Sequence, residues 1–299
     1  MANTNKSSTA GNKRRAVVTV LLVIWTVIRT VFVFYAVLFT LAATVLLYIG
    51  YQKGRHYYNT YWLTPISDVK RLQTENPAES AYMAQYRAEL RGRGESDSLI
   101  WKFVPLDSIP AILVSSVLAA EDDGFYTHPG VSLDAIVEAI DYNRAANSLK
   151  RGASTITQQL AKNMFLTPEK SFERKIKELG YTLLLEKYLG KDRILELYLN
   201  YAQWGKNIFG CEAAANVYYR KGSLGLTPIE AARMAACLAM PTRITPLYTK
   251  SGFMAKRIAV IANNMYLRRK IDDAGYTALT GEPPPGKDAA ADAELNGGD

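Results

Sequence analysis

Residues 121–130 read Glu-Asp-Asp-Gly-Phe-Tyr-Thr-His-Pro-Gly: three consecutive carboxylates, an aromatic pair and one of the two histidines in the chain. A carboxylate can take a proton from a reacting hydroxyl when its surroundings bring its pKa toward neutrality. The ten residues before Glu121 are apolar with helical spacing, which predicts one buried face carrying Ile112, Val114, Val117 and Leu118. Asp107 or Ser108 can cap that helix, Pro110 suits its first turn, and Gly124 suits its stop. Glu121 then falls near the C-terminal end of a buried helix. The helix dipole is negative there and Asp122 and Asp123 follow, so both effects raise the Glu121 pKa. The structural alternative is an acidic helix end running into a solvated turn.

A second stretch, residues 151–163, crowds Ser154, Thr155, Thr157, Gln158, Gln159, Lys162 and Asn163 into one or two helical turns. Gln158 and Lys162 share one face, Gln159 and Asn163 the next. Such a surface donates hydrogen bonds to sugar hydroxyls or an anion; its structural alternative is a polar face with Ser/Thr capping. In a third stretch Arg174 and Glu178 are spaced four apart. They are either a surface ion pair or a carboxylate with its cationic orienter beside an anionic substrate.

The elements that must position these groups read as mostly α-helical between 106 and about 275, without strand-type alternation. Ser132 can cap a helix to about Asn147. Thr167-Pro168-Glu169 opens another, with Leu179, Leu183 and Leu184 inward and Gly190 as its stop. Asp192 starts a helix over 194–201. Thr227-Pro228-Ile229-Glu230 has capping-box spacing with proline at the first helical position, and that helix runs to Pro241. A helix is expected near 78–90, and Arg-Gly-Arg-Gly-Glu-Ser (91–96) reads as a mobile connector rather than an RNA-binding repeat.

Ahead of this region, residues 31–50 are twenty positions without a charge, enough to cross a hydrocarbon core of about 30 Å. The segment is too long and too aromatic for a cleaved signal. Residues 1–30 read as a cytoplasmic tail and interfacial segment, with Arg29 at the interface. Residues 51–105 read as a juxtamembrane and linker region with aromatic anchors, and 276–299 as a disordered tail. Lys6, Lys13, Arg14, Arg15 and Arg29 precede the span, against Lys53 and Arg55 after it, which puts the N-terminus in the cytoplasm. The net charge of +8 favours an anionic partner, and 19 tyrosines suit sugars, lipid headgroups or bases. Cys211 and Cys237 sit in small apolar contexts and read as buried free thiols. No metal-ligand spacing is present.

Taken together, Glu121-Asp-x-x-Phe125-x-x-His128-x-Gly130, Gly152-x-Ser-Thr-Ile-Thr-Gln-Gln-Leu-x-Lys-Asn163, Arg174-Lys-x-x-Glu178 and Lys191-x-x-Ile-Leu-Glu-x-Tyr-Leu-Asn200 closely resemble the motif set of the family 51 glycosyltransferases. The resemblance covers roughly residues 100–245. It implies a mostly α, lysozyme-like glycosyltransferase domain behind the N-terminal membrane helix, of the monofunctional, peptidoglycan-polymerising type. Its substrates would be lipid II and the growing glycan strand, with other wall-synthesis and division proteins as further partners and no nucleic acid. Glu121 matches the family's general base and Glu178 its second essential glutamate, which assists the leaving group or orients the acceptor. Lys162 and Arg174, with the adjacent Lys175, match positions that hold the diphosphate. Thr155, Gln159 and Asn163 match donor-site polar contacts, and Asp122, Phe125 and His128 shape the first motif. No cofactor is required on this reading; some family members use a divalent metal at the diphosphate, so Mg²⁺ is admitted there without a dedicated ligand set.

Three other readings compete. A lysozyme-like or lytic wall hydrolase would need a lone acid, and the second glutamate and the cations stand against it. Ser67-Asp-Val-Lys70 and Lys250-Ser-Gly252 have the spacing of penicillin-type acyl enzymes but lack a third serine-containing motif. A non-catalytic membrane scaffold is opposed by the intact glutamate pair.

Overall fold

An uninterrupted apolar run folds as helix because a backbone without water must satisfy its own polar groups. In the computed structural model, which describes residues 5–145, 154–167, 171–248 and 252–286, this helix, α1 (Asn5–Tyr58), is longer than the expected span and continues unbroken through Arg29. It is long and apolar enough to cross a membrane. The hydroxyls of Thr26, Thr30, Thr40 and Thr44 donate to carbonyls one turn back, which removes their cost in lipid. Phe32, Phe39 and Leu47 leave about three quarters of their surface open (74%, 76% and 76%), a pattern suited to lipid and not to water. A short π-helical turn, Asn59–Leu63, follows. Residues 1–64 form one compact unit and 65–299 a second.

At the start of the second unit, α2 (Thr64–Arg71) buries Val69, Leu72 just after it is buried too, and α3 (Ala81–Gly92) buries Met83 and Leu90. Residues 65–92 are therefore part of the folded body rather than a linker. Ser80 caps α3, accepting from the Met83 N–H at 3.2 Å. The Arg/Gly connector is the turned end of α3, where Arg91 pairs with Asp97 at 2.6 Å.

Helices dominate, as expected, but three short strands appear that the sequence did not suggest. β1 (Ile100–Trp101) runs parallel to β3 (Ile208–Phe209), which pairs antiparallel with β2 (Gln203–Gly205). Strands of two or three residues are too short to show alternation. Gly205 is needed at this ladder, since a Cβ there would meet the Tyr218 hydroxyl at 2.1 Å.

α4 (Ala111–Glu121) starts after Pro110; Asp107 and Ser108 lie in a separate 3₁₀ turn and do not cap it. Its most buried residues are Leu113, Ser116, Val117 and Ala119, with Ile112, Val114 and Leu118 partly buried. The expected single face is replaced by burial on more than one side, because α10 (Pro228–Cys237) and α11 (Gly252–Leu267) both pack on α4. Buried alanines 231, 232, 235 and 236 permit the close approach of α10. α10 opens as expected, with Glu230 accepting from the Thr227 N–H at 2.7 Å, but ends at Cys237. Cys211 and Cys237 are buried free thiols.

α5 (Leu133–Ala145) is capped by Ser132, α6 (Ile156–Phe165) by Thr155. α7 (Phe172–Tyr188) is capped by Ser171 rather than opened at Thr167, and Gly190, at φ +77°, separates it from α8 (Lys191–Tyr201). On α7 the inward residues are Glu178, Thr182 and Leu185, while Leu179 and Leu183 are exposed. The helix is rolled relative to the expectation so that a carboxylate faces in and leucines face out. α12 (Asp273–Thr280) extends the ordered body past residue 275 and buries Leu279. Residues 1–4, 146–153, 168–170, 249–251 and 287–299 lie outside the described set, with the expected helix end near Asn147 and parts of the second motif and of the tail.

Candidate active site

The last carbonyls of a helix need partners from elsewhere. At the end of α4 those partners come from α11: Asn264 Nδ2 donates to the Ala119 carbonyl at 2.9 Å, and Arg257 Nη2 to the Ala120 carbonyl at 3.3 Å. The same Arg257 nitrogen donates to Glu121 Oε1 at 3.0 Å. Glu121 Oε2 accepts from Gln159 Nε2 of α6 at 3.0 Å, and Gln159 Oε1 accepts from the Tyr198 hydroxyl of α8 at 3.2 Å. Two helices thus fix the carboxylate of a third, and α8 braces it through Gln159. Burial pushes the Glu121 pKa up; the Gln159 and Arg257 contacts oppose it without cancelling it, and Asp122 adds to the rise. A fixed carboxylate raised in this way suits a general base.

Asp122 is a joint. Its Oδ2 accepts from the Ile156 N–H at 2.9 Å, at the start of α6, and its Oδ1 meets His128 Nε2 at 2.8 Å. The Gly130 N–H donates to His128 Nδ1 at 3.1 Å, so Nδ1 is the acceptor and Nε2 carries the proton given to Asp122. Phe125 is fully buried. The Lys191 ammonium sits 4.5 Å from its ring centre and donates to the His128 carbonyl at 2.8 Å and to Glu186 at 2.7 Å. Gly130 has φ +91°, and a Cβ there would lie 2.8 Å from Glu186. Asp122, Phe125 and His128 therefore shape the loop that holds Glu121. Thr155 belongs with them rather than with a donor site. It is buried, its hydroxyl donates to the Gly130 carbonyl at 2.6 Å, and it accepts from the Gln158 N–H. Gln158 in turn completes the capping box by accepting from the Thr155 N–H at 3.0 Å.

The cations gather on α6 and α7. Glu178, its side chain 4% exposed, accepts from Arg174 Nη1 at 2.7 Å and from Lys175 Nζ at 2.5 Å. Lys162 remains accessible on α6; desolvation first, then the nearby Arg174 and Lys175, hold it below the usual lysine range, against the pull of Glu178 and Glu121. Lys162 is thus in electrostatic reach of both glutamates, which joins the groups that the sequence singled out into one neighbourhood. Asn163 follows, half-buried, on the same helix. Gln159 is committed to Glu121.

Arg257 carried no sequence signal, since Met-Ala-Lys-Arg-Ile (254–258) reads as ordinary helix. Tyr198 and Lys191 stood inside the fourth motif without a role, and Glu186 in no motif; their spacing from the first motif is 60 to 80 residues, so only folding reveals the contacts.

A family model described as Transglycosylase matches residues 93–266. A biosynthetic peptidoglycan transglycosylase of Bordetella pertussis is 42% identical over 209 residues, covering 69% of this chain and 86% of that one. One of Ralstonia nicotianae is 39% identical, covering 69% and 89%, and one of Rhodospirillum centenum is 45% identical, covering 56% and 72%. Among solved structures, a penicillin-binding protein 1A from Haemophilus influenzae is 21% identical with a TM-score of 0.34, covering 62% of this chain and 18% of that one.

Proposed function

The chain belongs to the transglycosylase family and is a peptidoglycan glycosyltransferase, and from that premise we propose that it polymerises lipid II into β-1,4 glycan strands with release of undecaprenyl diphosphate. Glu121 takes the proton from the C4 hydroxyl of the acceptor lipid II. That oxygen attacks the anomeric carbon of the growing chain from the face opposite the diphosphate. The bond from the anomeric carbon to the diphosphate oxygen breaks with its electron pair going to the diphosphate, and α becomes β. Lys162, Arg174 and Lys175 stabilise the charge that develops on the leaving group. Glu178 aligns Arg174 and Lys175 for this, as their 2.7 and 2.5 Å contacts suggest. Asn163 contributes a polar contact to the donor. A divalent cation, where used, would draw its oxygens from the diphosphate; among the described residues no three His, Cys, Asp or Glu converge as a metal cage.

The observation that carries this reading is the raised Glu121, held by Arg257 and Gln159, within electrostatic reach of the same lysine, Lys162, as the cation-bound Glu178. An exposed apolar row on α7, Phe172, Ile176, Leu179 and Leu183, lies on the helix of Arg174 and Lys175 and supports a substrate with a lipid tail beside a diphosphate. α1 would anchor the enzyme once in the cytoplasmic (inner) membrane, N-terminus in the cytoplasm and catalytic unit on the periplasmic side, given the excess of Lys and Arg before the span.

The test is incubation of the detergent-solubilised chain with labelled lipid II. Wild type is expected to yield lysozyme-sensitive polymer, and Glu121→Gln to lose about 100- to 10,000-fold of that rate while keeping its circular dichroism spectrum. Undiminished polymer from Glu121→Gln would remove Glu121 as base, and release of fragments from preformed wall in place of polymer would make the protein a hydrolase.

A further inference from the structure

A general base must keep a lone pair aimed at the hydroxyl it deprotonates, and among the described residues that hydrogen-bond Glu121 only one can present either a donor or an acceptor to it. Arg257, on α11, can only donate. Asp122 is turned away, engaged by His128 and the Ile156 N–H. Lys162, on α6, acts at longer range. Gln159 is different, because an amide rotated by half a turn exchanges NH₂ for oxygen with little change of shape. With the NH₂ toward Glu121 it stabilises the carboxylate; with the oxygen toward Glu121 it repels the carboxylate and favours the protonated acid, which is no base.

We propose that Tyr198 is a positioning residue for this reaction: its hydroxyl, donating to Gln159 Oε1 at 3.2 Å, selects the amide orientation in which Nε2 donates to Glu121 Oε2 at 3.0 Å. Tyr198 touches neither substrate nor Glu121 by hydrogen bond and acts through Gln159. Its ring is 1% exposed within α8, so the hydroxyl is held by packing. Burial first, then the nearby Glu121 and Asp122 charges, keep the phenol far above its ordinary pKa, so it retains the proton it donates to Gln159. Without that hydroxyl Gln159 Oε1 has lost its donor, and an amide with an unmatched oxygen gains by turning toward any donor it can reach, including a protonated Glu121. Loss of the Tyr198 hydroxyl and protonation of the base are thereby coupled.

This inference rests on Glu121 being the base, and the Glu121→Gln assay above fails separately from it. Tyr198→Phe keeps the ring and its packing and deletes one oxygen. The full chain in detergent, assayed with lipid II across pH, is expected to lose about three- to tenfold in kcat at neutral pH, the worth of one neutral hydrogen bond. KM should stay within about twofold, and the acid limb of the profile should move to higher pH, toward a harder-to-ionise base. A core residue with no role in orientation would lower thermal stability without moving that limb. The decisive arm places Tyr198→Phe in a Gln159→Leu background, where the amide is gone. There the Tyr198 change should alter kcat by less than about twofold, because the two act as one unit. A wild-type pH profile in Tyr198→Phe would overturn the proposal. So would an equal loss with and without Gln159, which would place the hydroxyl's effect elsewhere.

Discussion

The two glutamates of the site differ in the company they keep. Glu121 is held by one arginine and one amide, 12% of its side chain exposed, at the end of a helix whose last carbonyls also need donors. Glu178 is deeper, 4% exposed, yet two cations from its own helix close on both of its oxygens. Burial alone does not tell the two roles apart. The partners do: a desolvated carboxylate with its charge incompletely matched is suited to accept a proton, and one bound to two cations is suited to hold those cations in place. The difference is one of helix address. Arg174 and Lys175 are placed by spacing of four and three residues on α7, whereas Arg257 reaches Glu121 from 136 residues away.

The largest effect that separates the two is on turnover. Glu178→Gln is expected to lower polymerisation about 100-fold, like the loss of one strong electrostatic contact. Unlike Glu121→Gln, it should also destabilise the fold by about 1–3 kcal/mol, since Arg174 loses its counter-charge in a mostly buried site while the half-exposed Lys175 can turn to water. Chemical denaturation reads this, and a Glu178→Gln protein as stable as wild type would break the comparison. Next comes Arg257→Met, which removes the only cation within hydrogen-bond reach of Glu121 among the described residues. Activity at neutral pH should fall about tenfold and the acid limb should move to higher pH, because the term opposing desolvation is gone; an unmoved limb would show that Arg257 serves only the α4 carbonyl.

The smallest effect is on stability against pH. The Glu121 pKa is raised in the folded state, so its contribution is fully present below the unfolded-state value and is lost as pH rises through the folded value. Wild type should therefore lose stability relative to Glu121→Gln across that window, the same window in which kcat rises. Parallel melting curves for the two proteins across the window would deny the raised pKa.

Much of this architecture could be read from the chain. The long apolar N-terminal helix, the end of α4 at Glu121, the Ser132 and Thr227 caps and the free thiols follow from local rules: length of the apolar run, dipole, and side chains that bond backbone within three residues. The motifs added the family. The strands were illegible because they are too short for a period. The leucines of α7 misled for a more instructive reason. Leu179, Leu183 and Leu184 promised an inward stripe; Leu184 does pack partly buried against the core, but Leu179 and Leu183 are exposed and the fully buried positions are Glu178, Thr182 and Leu185. Thr155 was assigned to substrate from its motif, and the Gly130 carbonyl that occupies it lies 25 residues away.

The sequence by itself determined that the body is helical, which carboxylate ends one helix, and which cations share a turn with Glu178, because those depend on neighbours within a turn or two of the backbone. Only the tertiary structure decided which side of α7 is covered, and that Arg257, Gln159 and Tyr198 meet at Glu121. Periodicity names the faces of a helix but not what packs against each, and the charge state of a buried carboxylate depends on donors that folding alone brings within 3 Å.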